Sequence, residues 1–315
     1  MKTSIGVDLG GTGIKAGVVD EAGRILSKGS TPTLPERGAE AVIEDIVRLC
    51  HRVAQDAGIP MDAIERIGIG VPGIYDPARG VIPFCTNLGW HDVPIVAQMQ
   101  RSIQKPITVD NDATVAGLAE CIAGVSAGAK SSVFITLGTG VGGGVVIGGK
   151  PYSGAHGVGS EIGHAVIALD GEPCTCGKRG CFERYASATA LIREGRRALA
   201  AHPESGLMAA CGGDPETMSA KTVIDCAKAG DETALSVFRG YVNALAHGIV
   251  NIINTLDPEV IVLGGGVSMA GDYLLEAVRE AVRPLVLYKA MPYADIRLAQ
   301  LGSDAGIIGA AALGR

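Results

Sequence analysis

Four side chains that commonly bind metal ions are gathered in one short part of the chain. The set spans 18 residues and comprises His164, Cys174, Cys176 and Cys181. Three thiolates and one imidazole are donors that zinc prefers when it forms a closed structural tetrahedron. They would leave the site with a net charge of about −1, which disfavours catalysis by a Lewis acid. The segment therefore predicts a structural Zn²⁺ site, and its alternative is a group of unrelated buried thiols.

Two glutamates flank these metal-binding residues. Glu161 precedes His164 by three positions, and Glu183 follows Cys181 by two. A carboxylate accepts hydrogen bonds through both oxygens, so two carboxylates held at fixed positions could bind the adjacent hydroxyls of a sugar. A loop stiffened by zinc would supply that fixed geometry. The alternative is that both are solvated surface acids, which is the commoner fate of a glutamate.

A further acid, Asp112, stands where a strand is predicted to end and a helix to begin. In open α/β sheets, reactive groups collect at such carboxyl ends of strands. Phosphoryl transfer needs mainly positioning and charge stabilisation, together with a carboxylate that accepts the proton of the attacking hydroxyl. Asp112 is a candidate for this base. The alternative is that Asn111 and Asp112 serve only as helix caps.

Two glycine-rich turns lie about 128 residues apart and resemble each other. The first runs from Asp8 to Gly13 and the second from Leu137 to Gly140; each follows a predicted strand and carries a threonine. Backbone N–H groups, a hydroxyl and, in the first turn, a carboxylate suit phosphate oxygens and a hydrated Mg²⁺. Both turns partly match a dinucleotide-binding fingerprint, but that fingerprint requires a helix after the glycines, whereas a strand follows here. The alternative for each turn is an ordinary hairpin.

The elements that must position these residues alternate between strands and helices. Apolar patterning predicts strands at 3–8, 16–20, 24–29, 67–71, 107–109, 133–137, 145–147 and 260–263. The spacing of apolar residues predicts helices at 39–57, 113–123, 188–201, 221–229, 233–255, 272–282 and 304–313. This alternation is typical of an α/β protein, and a length of 315 residues favours two domains.

Composition and charge exclude several classes of protein. With 47% hydrophobic and 19% charged residues, the chain can bury a core and is not disordered. A net charge of −6 and only 4% aromatic residues provide neither a basic face nor stacking platforms for nucleic acid.

The uncharged stretch between Lys130 and Lys150 contains seven glycines, so it is interpreted as two buried strands and not as a membrane span. No secretory signal is expected at the N-terminus, and the scattered cysteines favour a reducing cytoplasm.

Together the motifs resemble the ROK family of bacterial sugar kinases and sugar-responsive repressors, and most closely its glucokinases. The matching segments are Asp8-Leu-Gly-Gly-Thr-Gly, Asn111-Asp112-Ala, Leu137-Gly-Thr-Gly-Val-Gly-Gly-Gly, Glu161-Ile-Gly-His164, Cys174-x-Cys176-Gly-x-x-Gly-Cys181-x-Glu183 and Val262-Leu-Gly-Gly-Gly. The resemblance implies an actin-like ATPase (ribonuclease H-like) fold of two α/β domains with a cleft between them. The expected domains are residues 1–112 plus about 300–315, and residues 113–299 with the zinc loop.

The same resemblance implies roles for individual residues. Asp112 corresponds to the general base for the sugar 6-hydroxyl. Sugar ligands are expected at Asn111, Asp112, Glu161, His164 and Glu183, and more loosely at Gly73, Thr86 and Asn87. ATP with Mg²⁺ is expected at Asp8, Gly10, Gly11, Thr12, Lys15, Gly138, Thr139 and Gly140, with the nucleoside near Gly264, Gly265 and Gly266. Gly159-Ser160 stands where the family commonly has Ala-Gly, a departure that could alter the loop that selects the sugar's 2-substituent.

The implied activity is transfer of a phosphoryl group from ATP to the 6-hydroxyl of a hexose, with glucose as the first choice. N-acetylglucosamine, N-acetylmannosamine, allose and fructose are alternative substrates. A sugar-sensing transcriptional regulator would need a DNA-reading module, normally an N-terminal helix-turn-helix, and a first strand that begins by residue 4 leaves no room for it. An ATP-driven chaperone or filament protein would need neither the two glutamates nor the zinc loop. The family is commonly dimeric or tetrameric, so a homodimer or homotetramer is expected.

Overall fold

The computed structural model describes residues 2–315 and divides the chain into two compact units. The first unit contains the chain up to Phe134, then Gly144–Ser160 and Gln300–Arg315, and the second contains Ile135–Gly143 and Glu161–Ala299. The chain therefore passes from one unit to the other four times. The domain bounds expected from the sequence differ from this division in where they place residues 113–134 and 144–160, and they stay a prediction.

Strands and helices alternate along the chain, which confirms the predicted α/β class. The strands are β1 (Thr3–Leu9), β2 (Gly13–Asp20), β3 (Ile25–Pro32), β4 (Ile64–Val71), β5 (Ile74–Asp76), β6 (Val81–Cys85), β7 (Trp90–Val93), β8 (Ile107–Asn111), β9 (Ser131–Leu137), β10 (Val141–Ile147), β11 (Lys150–Pro151), β12 (Val260–Gly264) and β13 (Asp295–Leu298). The helices are α1 (Ala39–Asp56), α2 (Ile95–Gln100), α3 (Asp112–Ala123), α4 (Glu183–Ala186), α5 (Ala188–Ala201), α6 (Gly206–Ala210), α7 (Ala220–Lys228), α8 (Glu232–Leu256), α9 (Asp272–Val282) and α10 (Ala305–Ala312). Among residues 2–315, none of the helices has the length and apolarity that a membrane crossing requires.

The first unit is built on a five-stranded mixed sheet with the strand order β3-β2-β1-β4-β8. β2 runs antiparallel to both of its neighbours, β1 and β3, whereas β1, β4 and β8 run parallel to one another. In the parallel part, Asp8 is paired with Gly70, and Gly70 is paired with Asp110. Because the carboxyl ends of parallel strands meet at the same edge of a sheet, this register brings the segments after β1 and β8 to one edge.

Helix α10 packs on this sheet with almost no space between the two backbones. A Cβ atom added to Gly6 would lie 1.8 Å from the carbonyl oxygen of Ile307, and one added to Gly68 would lie 1.7 Å from that of Ala310. Any side chain at either glycine would therefore push the helix off the sheet. The small residues of the predicted helix at 304–313 are explained by this close packing.

A buried carboxylate fixes the chain where it returns to the first unit. Glu120 of α3 is fully buried and accepts hydrogen bonds from the backbone N–H groups of Val125, Gln300 and Leu301, each at 2.9 Å. A buried charge is tolerated only when such donors compensate for its lost hydration. The three bonds join the end of α3 to the segment that leads into α10.

A small antiparallel sheet, ordered β5-β6-β7, was not predicted from the sequence. Its strands have three, five and four residues, and the pairing of β5 with β6 is irregular. Strands this short contain too few alternations to give a period-two signal. Helices α2, α4 and α6 and strand β11, which have two to six residues, were missed for the same reason.

A second five-stranded sheet has the order β11-β10-β9-β12-β13, and the division between the units passes through β9 and β10. In the second unit, helices α5, α7, α8 and α9 pack against one another. The buried Tyr241 of α8 donates its hydroxyl to the carbonyl of Ala186 at 2.9 Å. A Cβ on Gly248 of the same helix would lie 2.2 Å from the ring of Phe182. These contacts hold α8 against the end of the cysteine-containing segment.

Candidate active site

Asn111 and Asp112 lie at the junction of β8 and α3. Asn111 is the N-cap of α3, and its side-chain oxygen accepts from the N–H groups of Ala113 at 2.9 Å and Thr114 at 3.4 Å. The exposed Asp112 is the first residue of the helix, and its Oδ1 accepts from the N–H of Ala113 at 2.8 Å. Of the two residues considered as the N-cap of α3, the structure identifies Asn111. The carboxylate of Asp112 therefore lies at a helix N-terminus, where a negative charge is stabilised.

The segments around Gly73 and Cys85 adjoin this junction within the first unit. The Nδ2 of Asn111 donates to the carbonyl of Gly73 at 3.4 Å, and a Cβ on Gly73 would lie 2.9 Å from the Cβ of Cys85. Burial raises the pKa of the Cys85 thiol; backbone hydrogen bonds from Leu88 and Asn87 oppose this, and the charge of Asp112 adds a smaller upward effect. Thr86 and Asn87, both exposed, follow directly. The structure therefore brings Gly73, Thr86 and Asn87 near Asn111 and Asp112.

The first glycine turn is a tight reversal between β1 and β2. The N–H of Gly10 donates to the carbonyl of Gly13 at 2.9 Å, and the hydroxyl of Thr33 donates to the carbonyl of Gly10 at 2.7 Å. Asp8 and Lys15 are paired across the two strands. Burial raises the pKa of Asp8, whereas the charge of Lys15 lowers it. A cation bound beside this carboxylate would favour its ionised form.

This first turn also lies close to one of the predicted sugar-facing residues. A Cβ on Gly11 would be 3.5 Å from the Cβ of Asn87. The structure thus places the predicted phosphate turn, with Gly10, Gly11 and Thr12, beside the segment that follows β6. Both belong to the first unit.

The second glycine turn joins β9 to β10 and belongs to the second unit. The N–H of Gly138 donates to the carbonyl of Gly140 at 3.0 Å, and the hydroxyl of Thr189 donates to the carbonyl of Thr139 at 2.7 Å. Gly265 has a φ of +83°, and a Cβ there would lie 2.6 Å from the backbone nitrogen of Leu137. The segment Gly264–Gly266 therefore packs against the strand that leads into this turn, so the predicted nucleoside and phosphate segments adjoin.

Glu183 lies against the same turn. Its Oε2 accepts a hydrogen bond from the N–H of Val141 at 3.1 Å and lies only 2.2 Å from where a Cβ on Gly140 would be. The segment after Glu161 also contacts Val141, since a Cβ on Gly163 would lie 2.0 Å from the Val141 carbonyl oxygen. Glu183 is therefore held at the start of β10, and Gly163, two residues after Glu161, packs against the same residue.

The four predicted metal-binding residues form one cluster. One ligand atom from each of His164, Cys174, Cys176 and Cys181 lies within 4.8 Å of all the others. The Nδ1 of His164 is 3.7 Å from the Sγ of Cys174, and the Sγ atoms of Cys176 and Cys181 are 3.6 Å apart. Ligands bound at about 2.3 Å in a tetrahedron are separated by roughly 3.8 Å, so the donor set fits a tetrahedral ion.

The loop that carries the cluster is held by hydrogen bonds between its own residues. The N–H of Cys174 donates to the carbonyl of Lys178 at 2.8 Å, and the Nζ of Lys178 donates to the carbonyl of His164 at 2.9 Å. Gly180 has a φ of +73°, and a Cβ there would lie 1.5 Å from the carbonyl oxygen of Ala168. Burial raises the pKa of the Cys181 thiol to about 12, whereas a backbone hydrogen bond from Lys178 lowers that of Cys176.

Comparison with known proteins identifies the family. The model of the ROK family matches residues 4–315. The chain belongs to the ROK family. A glucokinase from Halalkalibacterium halodurans is 41% identical to this ROK protein over 308 residues, which cover 97% of this chain and 92% of that relative. The predicted family is thereby confirmed.

Solved structures of ROK proteins confirm the fold. A ROK family glucokinase from Streptomyces griseus, solved in complex with glucose and AMPPNP, is 36% identical with a TM-score of 0.82, covering 99% of this chain and 98% of its own. A ROK hexokinase from Thermus thermophilus is also 36% identical, with a TM-score of 0.85, covering 98% of this chain and 96% of its own. This ROK protein therefore has the actin-like ATPase fold that was predicted.

Sequence reasoning did not single out Asp110, although it immediately precedes the candidate site. Its carboxylate accepts hydrogen bonds from the hydroxyl of Ser153, which is 43 residues away in the sequence. An acid next to an Asn-Asp pair attracts attention only as a further possible cap. The serine that contacts it lies in a segment without helical or strand periodicity, so the sequence contains no signal that joins the two.

Proposed function

We propose that this protein is a glucokinase, an enzyme that transfers the γ-phosphoryl group of ATP to the 6-hydroxyl of glucose. The observation that carries the proposal is its likeness, over 99% of the chain, to a ROK glucokinase solved with glucose and an ATP analogue. The local geometry of each unit supports it. Asp112 lies in the first unit with Asn111 and Gly73, and the second unit holds Glu183 against a glycine turn.

In the proposed reaction, Asp112 accepts the proton of the glucose 6-hydroxyl. The resulting oxygen nucleophile forms a bond to the γ-phosphorus, the bond from that phosphorus to the bridging β,γ-oxygen breaks, and ADP leaves with the electron pair. Asp112 is exposed, so it can meet a substrate hydroxyl, and its position at the start of a helix stabilises a negative charge. Asn111 caps the helix and so keeps the backbone beneath Asp112 in one conformation.

We assign the phosphates of ATP to the two glycine turns and Mg²⁺ to the neighbourhood of Asp8. Mg²⁺ bound with ATP neutralises the charge that develops during phosphoryl transfer. Asp8 suits a hydrated cation because it is a half-buried carboxylate whose charged form lacks full solvation. Lys15 is the basic residue paired with it, and Gly264–Gly266 are assigned to the nucleoside.

We assign the sugar to Asn111, Asp112, Glu161, His164 and Glu183, with Gly73, Thr86 and Asn87 as further contacts. The two glutamates supply acceptors for neighbouring hydroxyls, which an aldohexose offers in pairs. Structural Zn²⁺ on the His164, Cys174, Cys176 and Cys181 cluster would hold the loop between the two glutamates. Two donor separations support this ion, because the 3.7 Å between His164 and Cys174 and the 3.6 Å between Cys176 and Cys181 are close to those of tetrahedral coordination.

We further propose a cytoplasmic enzyme that forms a homodimer or homotetramer. The cytoplasmic location is supported by the eight cysteines, which are all thiols outside any disulfide bond. Several of them are buried and lie apart from the metal-binding cluster, as is typical of proteins from a reducing compartment. Size-exclusion chromatography with light scattering would measure the oligomeric state directly.

The experiment that tests the function is an assay of ADP release with a panel of hexoses and N-acetylhexosamines. We expect the highest kcat/KM with glucose and a product phosphorylated at O6, as read by ³¹P and ¹³C NMR. Preference for N-acetylglucosamine, N-acetylmannosamine, allose or fructose would assign the protein to another ROK kinase. Absence of ADP release with every sugar would contradict the proposal.

A further inference from the structure

Asp110, next to the candidate base, has a contact that the proposed chemistry does not use. Both of its carboxylate oxygens accept from the hydroxyl of Ser153, at 3.0 and 2.7 Å. Its Oδ1 also accepts from the N–H of Asn111 at 2.8 Å. A half-buried carboxylate that receives a hydroxyl at both oxygens holds that hydroxyl in a narrow range of positions. Ser153 is therefore fixed to the carboxyl end of β8.

Ser153 belongs to a loop that is closed on itself, which we call the 152–160 loop after its first and last residues. The N–H of Gly159 donates to the carbonyl of Ser153 at 2.8 Å, and the hydroxyl of Ser160 donates to the carbonyl of Tyr152 at 2.9 Å. The two ends of the loop are thus hydrogen-bonded to each other. A compact loop of this kind moves as one body, and its orientation depends on the contacts that join it to the rest of the fold.

Two contacts join the 152–160 loop to other parts of the first unit. One is the bond from Ser153 to Asp110. The other is at Gly157, which has a φ of +71°; a Cβ there would lie 2.6 Å from the carbonyl oxygen of Tyr75. The Gly157 contact is only van der Waals packing, whereas the Asp110 contact is directional and involves a charge. Asp110 is therefore the stronger of the two determinants of the loop's orientation.

The last residue of the 152–160 loop is followed directly by Glu161. Ser160 has a φ of +68°, a conformation that favours glycine, and its hydroxyl bond to Tyr152 compensates for that strain. Because consecutive Cα atoms are about 3.8 Å apart, the position of Ser160 limits where the Glu161 backbone can begin. The loop thus forms a physical connection from Asp110 to a predicted sugar ligand.

We propose that Asp110 is a positioning residue for sugar binding, which acts by holding the 152–160 loop through Ser153. The proposal rests on the proposed function of this site. Asp110 does not need to touch the sugar. Its effect is to reduce the number of orientations available to the loop before the sugar arrives, so that less ordering is left to occur on binding.

The test is a set of substitutions at the two ends of the contact. Asp110→Ala and Ser153→Ala should each raise the KM for glucose about tenfold, the effect of one lost hydrogen bond to a charged group. The kcat and the KM for ATP should each stay within about twofold. The double variant should be no worse than the poorer single variant, because both substitutions remove the same contact. Ser153→Thr, which keeps the hydroxyl, should restore the KM for glucose to within about threefold of the original protein.

Asp76→Asn is a matched control in the same region. Asp76 accepts from the N–H groups of Ala78 and Arg79 in its own turn and lies next to Tyr75, so its substitution should leave the KM for glucose unchanged. An unchanged KM in both alanine variants would overturn the proposal, as would additive losses in the double variant. A fall in kcat with an unchanged KM would also overturn it, because it would place Asp110 in the chemical step.

A second measurement separates this inference from the proposed function. Hydrogen–deuterium exchange of the 152–160 loop, measured without any sugar, should be faster in Asp110→Ala and Ser153→Ala than in the original protein or in Asp76→Asn. Faster exchange in a protein that phosphorylates no sugar would support the contact while rejecting the glucokinase proposal. If the original protein is an active glucokinase and the exchange rate is unchanged in both alanine variants, only the role of Asp110 is rejected and the proposed function stands.

Discussion

The carboxylate of Glu183 accepts a hydrogen bond from the backbone N–H of Val141, at 3.1 Å. This bond joins the first residue of α4 to the first residue of β10, immediately after the turn that is proposed to bind phosphate. A residue expected to bind the sugar is therefore held by the backbone next to a residue expected to bind ATP. Any displacement of that turn will be transmitted to the Glu183 side chain.

Substitution of Gly140 by alanine should move the Glu183 carboxylate. The added Cβ would lie 2.2 Å from Oε2, so the side chain must rotate away from Val141. We expect the KM for glucose to rise about tenfold, and more than the KM for ATP. Steady-state kinetics with each substrate varied in turn checks this. Gly240→Ala in α8, where an added Cβ meets no atom within 4 Å, is the control. Equal values of the glucose KM in the two variants would contradict the role given to Glu183.

Replacement of Asp112 by asparagine should remove most of the catalytic rate while leaving glucose binding nearly unchanged. Loss of a general base costs about 10² to 10⁴ in kcat, whereas the amide keeps the size and much of the hydrogen bonding of the carboxylate. Turnover is measured by ADP release, and glucose affinity by calorimetry. The exposed Asp92, which pairs with Arg79, supplies the control Asp92→Asn. Normal turnover in the Asp112 variant would remove Asp112 from the mechanism.

The cysteine and histidine cluster should contain about one zinc ion per chain. Cys176→Ser should lose the metal and raise the KM for glucose, since the loop between Glu161 and Glu183 would no longer be fixed. Elemental analysis of the purified protein gives the metal content of each variant. Cys226 lies outside the cluster, so Cys226→Ser should change neither the zinc content nor the KM for glucose. A metal-free preparation with full activity would show that the cluster does not support sugar binding.

The stability of the fold should depend on pH through Asp20. This residue is 2% exposed; burial alone would raise its pKa, but hydrogen bonds from Arg24 and from the N–H of Ala22 outweigh that effect and lower the pKa. The folded-state pKa therefore lies below the unfolded-state value of about 3.9. The ionised carboxylate stabilises the folded protein above that value, and the contribution is lost as the pH falls through the folded-state pKa.

Asp20→Asn should reduce the free energy of unfolding by about 1–2 kcal/mol at pH 7, and the difference should shrink below about pH 4. Urea unfolding at several pH values measures it. The exposed Asp62 gives the control Asp62→Asn, for which we expect little effect at any pH. A difference between Asp20→Asn and the original protein that stays constant down to pH 3 would contradict this account.

The features that could be predicted from the sequence are those encoded by local spacing. Helices α5 and α9 have the bounds that their apolar periodicity predicted, and Asn111 is one of the two residues considered as a cap. The four metal-binding side chains lie within 18 residues, so a single loop can bring them together. Strand β2 begins at Gly13, earlier than the predicted residue 16, because its pairing with β1 extends to Ile14 and its pairing with β3 includes Gly13.

The features that could not be predicted depend on contacts between distant residues. The bond between Asp110 and Ser153 spans 43 residues, and the bonds from Gln300 and Leu301 to Glu120 span 180 and 181. Neither acid differs in local pattern from an ordinary surface residue. A polar side chain becomes a buried acceptor only when the fold brings donors to it, and one sequence contains no record of that proximity.

The contact of α10 with Gly6 and Gly68 has a consequence for the order of events during synthesis. Strand β1 begins at Thr3, whereas α10 begins only at Ala305, so the ribosome makes the sheet long before the helix that covers it. At about 5–20 residues per second, the uncovered face must wait for tens of seconds. A nascent chain in this interval exposes apolar strands to other proteins. Its folding in a cell should therefore depend more strongly on chaperones than refolding of the finished polypeptide does.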